Sequence, residues 1–210
     1  MNLRSFGGPL RCTAKRYALL LSRLQVMRGT AALVWQIEMM ILNCTKKLAK
    51  RLPYSVIEGS QACTNKLGPW CANSFNISRF PMIILTNERT LLSVVIPFKD
   101  IRTFHNRFLK SLEVLFHSIA LSSREIQSEL EQMMVVQLTD KSNRSTVGSM
   151  NDFVYHAKAA LYEHQNLSLE ELSFELSGIP CSPLNYGFPR EEVLNVITPP
   201  HPGRMEIRRD

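Results

Sequence analysis

The chain has 210 residues, 45% hydrophobic and 20% charged, with a net charge of +7. That length suits one domain of ordinary size with appendages, and the apolar share is ample for a core, which excludes a disordered chain. The charge is lopsided: residues 1–38 hold Arg4, Arg11, Lys15, Arg16, Arg23 and Arg28 against one acid, Glu38, a net of +5 that leaves +2 for the rest, which does not support a general grip on nucleic acid there.

Residues 1–38 read as a basic extension outside the folded domain, with two short apolar patches, "YALLL" and "AALVW". Three readings stand open. An acid-poor, Arg-containing stretch suits an organellar targeting segment. It equally suits a basic arm for an anionic surface. Or it is upstream sequence that is not normally translated, with Met39 or Met40 as the true start.

The main body, residues 39–198, reads as a single α+β domain. "MILN" (40–43) suggests a short strand and Thr45–Leu52 a short helix stopped by Pro53, with a connecting loop over 53–69. "CANSFNISR" alternates, with Cys71, Phe75 and Ile77 on one face and Ala72, Ser74, Asn76 and Ser78 on the other. "MIILT" and "LLSVVIPF" follow across "NER", as an antiparallel hairpin or meander. Both runs are continuously apolar and read as central strands. From Ile101 the period changes: Ile101, Phe104, Phe108, Leu112, Leu115 and Ile119 form one helical stripe.

A second helix starts at Ser122, boxed by Glu125, with Ile126, Leu130 and Met133 inward. "MVVQLT" to Thr139 suggests another strand. A third helix follows "NRSTVGSMNDF", with Met150, Phe153, Ala157 and Leu161 inward. "SLEELSFEL" carries its own capping box, Ser168 with Glu171, and a last helix opens at Pro189. The tail, 199–210, reads as flexible. Strands first and helices afterwards give an antiparallel sheet of four to five strands packed against four to five helices.

The phrases "CTKKLAKRL" (44–52), "GPWCANSF" (68–75), "IILTNERTLLSVVIP" (83–97) and "NRSTVGSMNDFVYH" (143–156) stand together in that order. Their arrangement resembles a family of uncharacterised prokaryotic domains, a domain of unknown function, over roughly residues 40–198. The most specific parts are the "RSxxGSMNDF" block and the Trp70-x-x-Asn73 motif. The resemblance implies one bacterial-type domain beginning near Met40. It brings no activity with it, and therefore no catalytic residue.

The residues themselves suggest one place to look. Ser149 with Asp152 resembles a capping box at a helix start, and Gly148 would supply an unusual backbone angle there. Arg144, Ser145 and Asn151 are left unexplained by that pattern, and Arg144 could pair with Asp152 or present its fork to a carboxylate or phosphate beside the helix N-terminus. Asp152 and His156, four apart, share a helix face on which a carboxylate could orient an imidazole, or form an ordinary surface pair. Trp70 and Asn73 precede the sheet, as a core lid or as part of a binding surface.

Five cysteines (Cys12, Cys44, Cys63, Cys71, Cys181) form no C-x-x-C pair, which points to reduced thiols in a cytosol. The other histidines do not recur with acids at metal-ligand spacing, and no cofactor motif is present. No apolar run approaches the roughly 20 residues of a membrane span.

The leading expectation is a small cytoplasmic binding or interaction module, with an unknown protein or small anionic ligand meeting Arg144, Ser145, Ser149, Asn151, Asp152 and His156, with Trp70 and Asn73 nearby. The alternative is a hydrolase or transferase for a phosphate- or carboxylate-bearing substrate at an Arg144/Asp152/His156 site. A second alternative is a nucleic-acid-associated protein using Lys46–Arg51.

Overall fold

The computed structural model describes residues 39–54, 63, 65–139, 143–164 and 166–198. The expectations for residues 1–38 and 199–210 lie outside these. Five strands form one sheet: β1 (Met40–Cys44), β2 (Trp70–Ile77), β3 (Phe80–Asn87), β4 (Ser93–Pro97) and β5 (Val136–Thr139). Six helices accompany it: α1 (Lys46–Ala49), α2 (Phe104–Ser118), α3 (Ser123–Gln132), α4 (Arg144–Glu163), α5 (Leu169–Leu176) and α6 (Pro189–Ile197). The fold is α+β, as the sequence suggests.

The sheet order is β4-β3-β2-β1-β5. The β2–β3–β4 meander is antiparallel, with Ala72 opposite Leu85 and Leu85 opposite Val94. β1 and β5 add to it in parallel, Leu42 aligning with both Trp70 and Leu138. The sheet is therefore mixed, not wholly antiparallel. The cause is the connection: α1 and the residues after it carry the chain from β1 back to the start of β2, and α2 and α3 carry it from β4 to the start of β5. Only crossovers of that length can join parallel strands.

Alternation along the strands gives the sheet two apolar faces. On one, Leu42, Trp70, Ile83, Leu85, Val94 and Leu138 pack with Leu48 of α1, Phe104, Phe108 and Leu112 of α2, Ile126 of α3 and Val193 of α6. On the other, Cys71, Ile84 and Val95 pack with Met150, Phe153 and Ala157 of α4 and Leu172 and Leu176 of α5. Each large apolar side chain so enclosed contributes about 1.5–3 kcal/mol relative to exposure.

The helical stripe Phe104, Phe108, Leu112 and Leu115 is buried, while Arg102, Asn106, Lys110, Glu113 and His117 are exposed. Both predicted capping boxes form, Ser122 with Glu125 and Ser168 with Glu171.

One strand sits differently from its reading. β4 is an edge strand, not a central one. It tolerates a run of buried residues because α5 lies against it, and the free Val95 amide donates to the Ser173 hydroxyl at 3.1 Å. A covered edge looks central in sequence.

Candidate functional site

Helix α4 carries the site, and it starts earlier than Ser149. Asn143 is the N-cap: its side-chain oxygen accepts from the Ser145 and Thr146 amides at 3.1 and 3.4 Å. Asn is as good a cap as Ser, and the extra turn buries Thr146. Ser149 and Asp152 are thus interior helix positions, not a capping box. Gly148 is helical too, with nothing within 4 Å of where a Cβ would stand. Arg144 and Asp152 lie eight residues apart, about 12 Å along the axis, so they do not pair through the helix.

Ser149, Asp152 and His156 fall at i, i+3 and i+7, on one side of α4. Opposite them runs Ile179–Pro183, and the two segments enclose a recess of about 250 Å³ that Phe153 and Tyr155 also line. The opposing segment is held by its own backbone. The Cys181 amide donates to the Gly187 carbonyl at 3.1 Å, and the Tyr186 amide donates to the Cys181 carbonyl at 2.9 Å. Asn185 and Tyr186 take left-handed φ values of 52° and 62° to close this loop. Gly187 is closely fitted, since a Cβ there would stand 3.0 Å from the Leu184 carbonyl oxygen. Pro180 and Pro183 fix φ on either side of Cys181.

The polar groups in the recess differ in kind. Cys181 is buried, and its thiol donates to the Ile179 carbonyl at 3.3 Å. Burial, with the Asp152 carboxylate adding to it, pushes that thiol up to about 11. It is a protonated donor at neutral pH, not a thiolate nucleophile. Asp152 and His156 are exposed at the rim, and the His156 ring meets Tyr155 edge-on at 6.0 Å. Among the described residues no hydrogen bond joins Asp152 to His156, and no lysine or arginine lines the recess.

The other expected site residues do not gather here. Arg144, Ser145 and Asn151 are exposed on α4 and outside the lining. Arg144 stands twelve residues from His156, about 18 Å along the helix. Trp70 is 0% exposed, in the core on the opposite face of the sheet, edge-on to Phe108 at 5.1 Å. Asn73 is half-buried on β2, and its side-chain oxygen accepts from the Ser74 amide.

In the Lys46–Arg51 stretch Leu48 is fully buried, and the Arg51 guanidinium lies 3.9 Å over the Phe98 ring. The stretch is a docked amphipathic turn with exposed lysines. Cys181 and Ser182 were not singled out from sequence; the one available signal is the rigid "PCSP" between two short helices.

The four described cysteines are free thiols. Among the described residues no group of three or more His, Cys, Asp or Glu is placed to hold a metal ion. No described helix is long and apolar enough to cross a membrane.

Fold and recess together define an α+β domain with helices on both faces of a mixed sheet and a polar indentation beside its longest helix. The chain belongs to the family described as a domain of unknown function (DUF6933), which matches residues 41–192. That span coincides closely with the body over which the sequence resemblance runs. No curated protein and no solved structure matches the chain significantly.

Proposed function

We propose that the domain is a binding module that takes a small, donor-rich molecule in the recess between α4 and Ile179–Pro183. The observation that carries this reading is the convergence of Ser149, Asp152 and His156 with Cys181 and Ser182 around one indentation. Its volume lies just below the range of ligand pockets, roughly 300–1,000 Å³, so the occupant is small or enters only in part. Asp152 is the acid in the lining, and no basic side chain but His156 accompanies it. A protonated amine or amidine suits that balance better than the anion expected from Arg144.

The hydrolase or transferase alternative is less well supported. It needs Arg144 to hold an anion beside His156, and the two are separated along the helix. It also needs a nucleophile, and the Cys181 thiol is held protonated.

The test is a titration of the ¹⁵N-labelled full chain with benzylamine and, separately, with benzoate. Benzylamine is expected to shift the amides of residues 149–156 and 179–183, and Asp152→Asn to weaken it about ten-fold or more through loss of a charge-assisted hydrogen bond. Equal binding of benzoate, or shifts centred elsewhere, would sink the reading.

A further inference from the structure

A second place in the fold is built from different residues. β1 and β5 are adjacent and parallel, yet the chain leaves them toward opposite faces of the sheet: α1 packs with the Trp70 face, α4 with the Cys71 face. In open α/β sheets that divergence leaves a crevice outside the carboxyl ends of the strands, where ligands bind.

The side chains at those ends are polar and buried. The Thr139 hydroxyl donates to the Asn43 side-chain oxygen, and the Asn43 amide donates to Glu88 Oε1. The Cys71 thiol donates to the same oxygen at 3.0 Å. Burial first, and then this bond to Glu88, push Cys71 up, so it serves as a donor. Glu88 itself is fixed from behind. Asn87, fully buried, accepts from the Arg89 and Thr90 amides and donates to the Leu67 and Pro69 carbonyls, while the Glu88 amide donates to Pro69. Glu88 Oε2 accepts nothing among the described residues, and Glu88 is half-buried.

Gln137 supplies an independent observation. It lies on the same face as Thr139, two register pairs further in, opposite Ile41. It is 4% exposed, and neither end of its carboxamide has a partner. Buried polar groups in native folds are satisfied, and an exception calls for an explanation. The other orphaned atoms are milder cases. Asn65 still donates through Nδ2 to Glu129, Arg107 through Nη2 to Asp100, and the indole of Trp70 has only a donor to place. Gln137 alone among the described residues leaves both a donor and an acceptor open, an edge that matches an amide or an amino-substituted ring nitrogen.

We propose that the carboxyl ends of β1 and β5 form a binding site for a small planar molecule with an amide-like edge, a nucleobase or a primary carboxamide, which pairs with Gln137 and offers a further donor to Glu88. This site is separate from the recess on α4.

The test uses the ¹⁵N-labelled full chain, with the Gln137 side-chain NH₂ pair assigned by its disappearance in Gln137→Leu. Adenine and nicotinamide are titrated separately, which distinguishes the two sources of the edge. At least one should move the Gln137 and Asn43 side-chain pairs saturably. Gln137→Leu should weaken that binding at least ten-fold while leaving the rest of the spectrum folded, and Glu88→Gln should weaken it with Gln137 intact. Failure of both probes to move the Gln137 pair would overturn the proposal. So would shifts confined to residues 149–156 and 179–183, or unchanged binding by either variant. Neither outcome bears on benzylamine at the recess, so the two readings fail separately.

Discussion

At the scale of single residues, "NRSTVGSMNDF" does two things at once. Asn143 starts the helix, which frees Ser149 and Asp152 to face the recess. Gly148 serves neither purpose, since its position is helical and open. Gly148→Ala is therefore expected to raise stability by about 0.5–1 kcal/mol, the backbone freedom removed from the unfolded chain. Urea unfolding should show a higher midpoint with an unchanged slope. A loss of stability would mean that something packs against Gly148.

The polar character of this stretch was legible in sequence; its role was not, because Asn143 and Ser149 are equally good caps and only tertiary burial of Thr146 separates them. Trp70 misled for a related reason. An aromatic beside Gly-Pro suits a surface platform as well as a core, and its packing partner, Phe108, is far along the chain.

At the scale of elements, the helices were the most readable part. Their stripes are long, and two of them begin with capping boxes whose partners are three residues apart. Contacts between elements were not readable. Glu129 lies between the apolar positions Ile126 and Leu130, and nothing in that spacing marks it as 1% exposed. Its carboxylate accepts from the Asn65 side chain at 3.1 Å and from the Lys66 and Leu67 amides at 3.1 and 3.0 Å. It thus clamps the turn before β2 onto α3.

Glu129→Gln places an amide donor against these donors and should lower stability by about 3 kcal/mol, the scale of hydrogen bonds to a charged group. The same urea measurement checks it. A change below about 0.5 kcal/mol would mean that the clamp is dispensable.

At the scale of the whole molecule, the α+β class and the meander could be read, whereas the parallel additions could not. β1 and β5 are short and carry Asn43, Gln137 and Thr139 where alternation alone would suggest solvent, and their pairing joins residues 96 apart. The meander closes over short loops and should form before that long pairing. Leu138→Ala, at a fully buried site on β5, is expected to cost about 2–5 kcal/mol and to act mainly by faster unfolding. Val95→Ala in the meander should instead slow refolding. Stopped-flow refolding and unfolding arms separate the two, and equal partition at both sites would contradict the order.

That order matters most while the chain is being made. β1 is synthesised long before its far neighbour, and at 5–20 residues per second the 96-residue interval between Asn43 and Thr139 lasts roughly 5–20 s. Throughout it, one backbone margin of β1 is open and Met40 and Leu42 have an incomplete enclosure. The nascent chain therefore carries a sticky segment on the ribosome for as long as translation of its middle takes, and a chaperone that shields short apolar strands would act on this protein at β1 first.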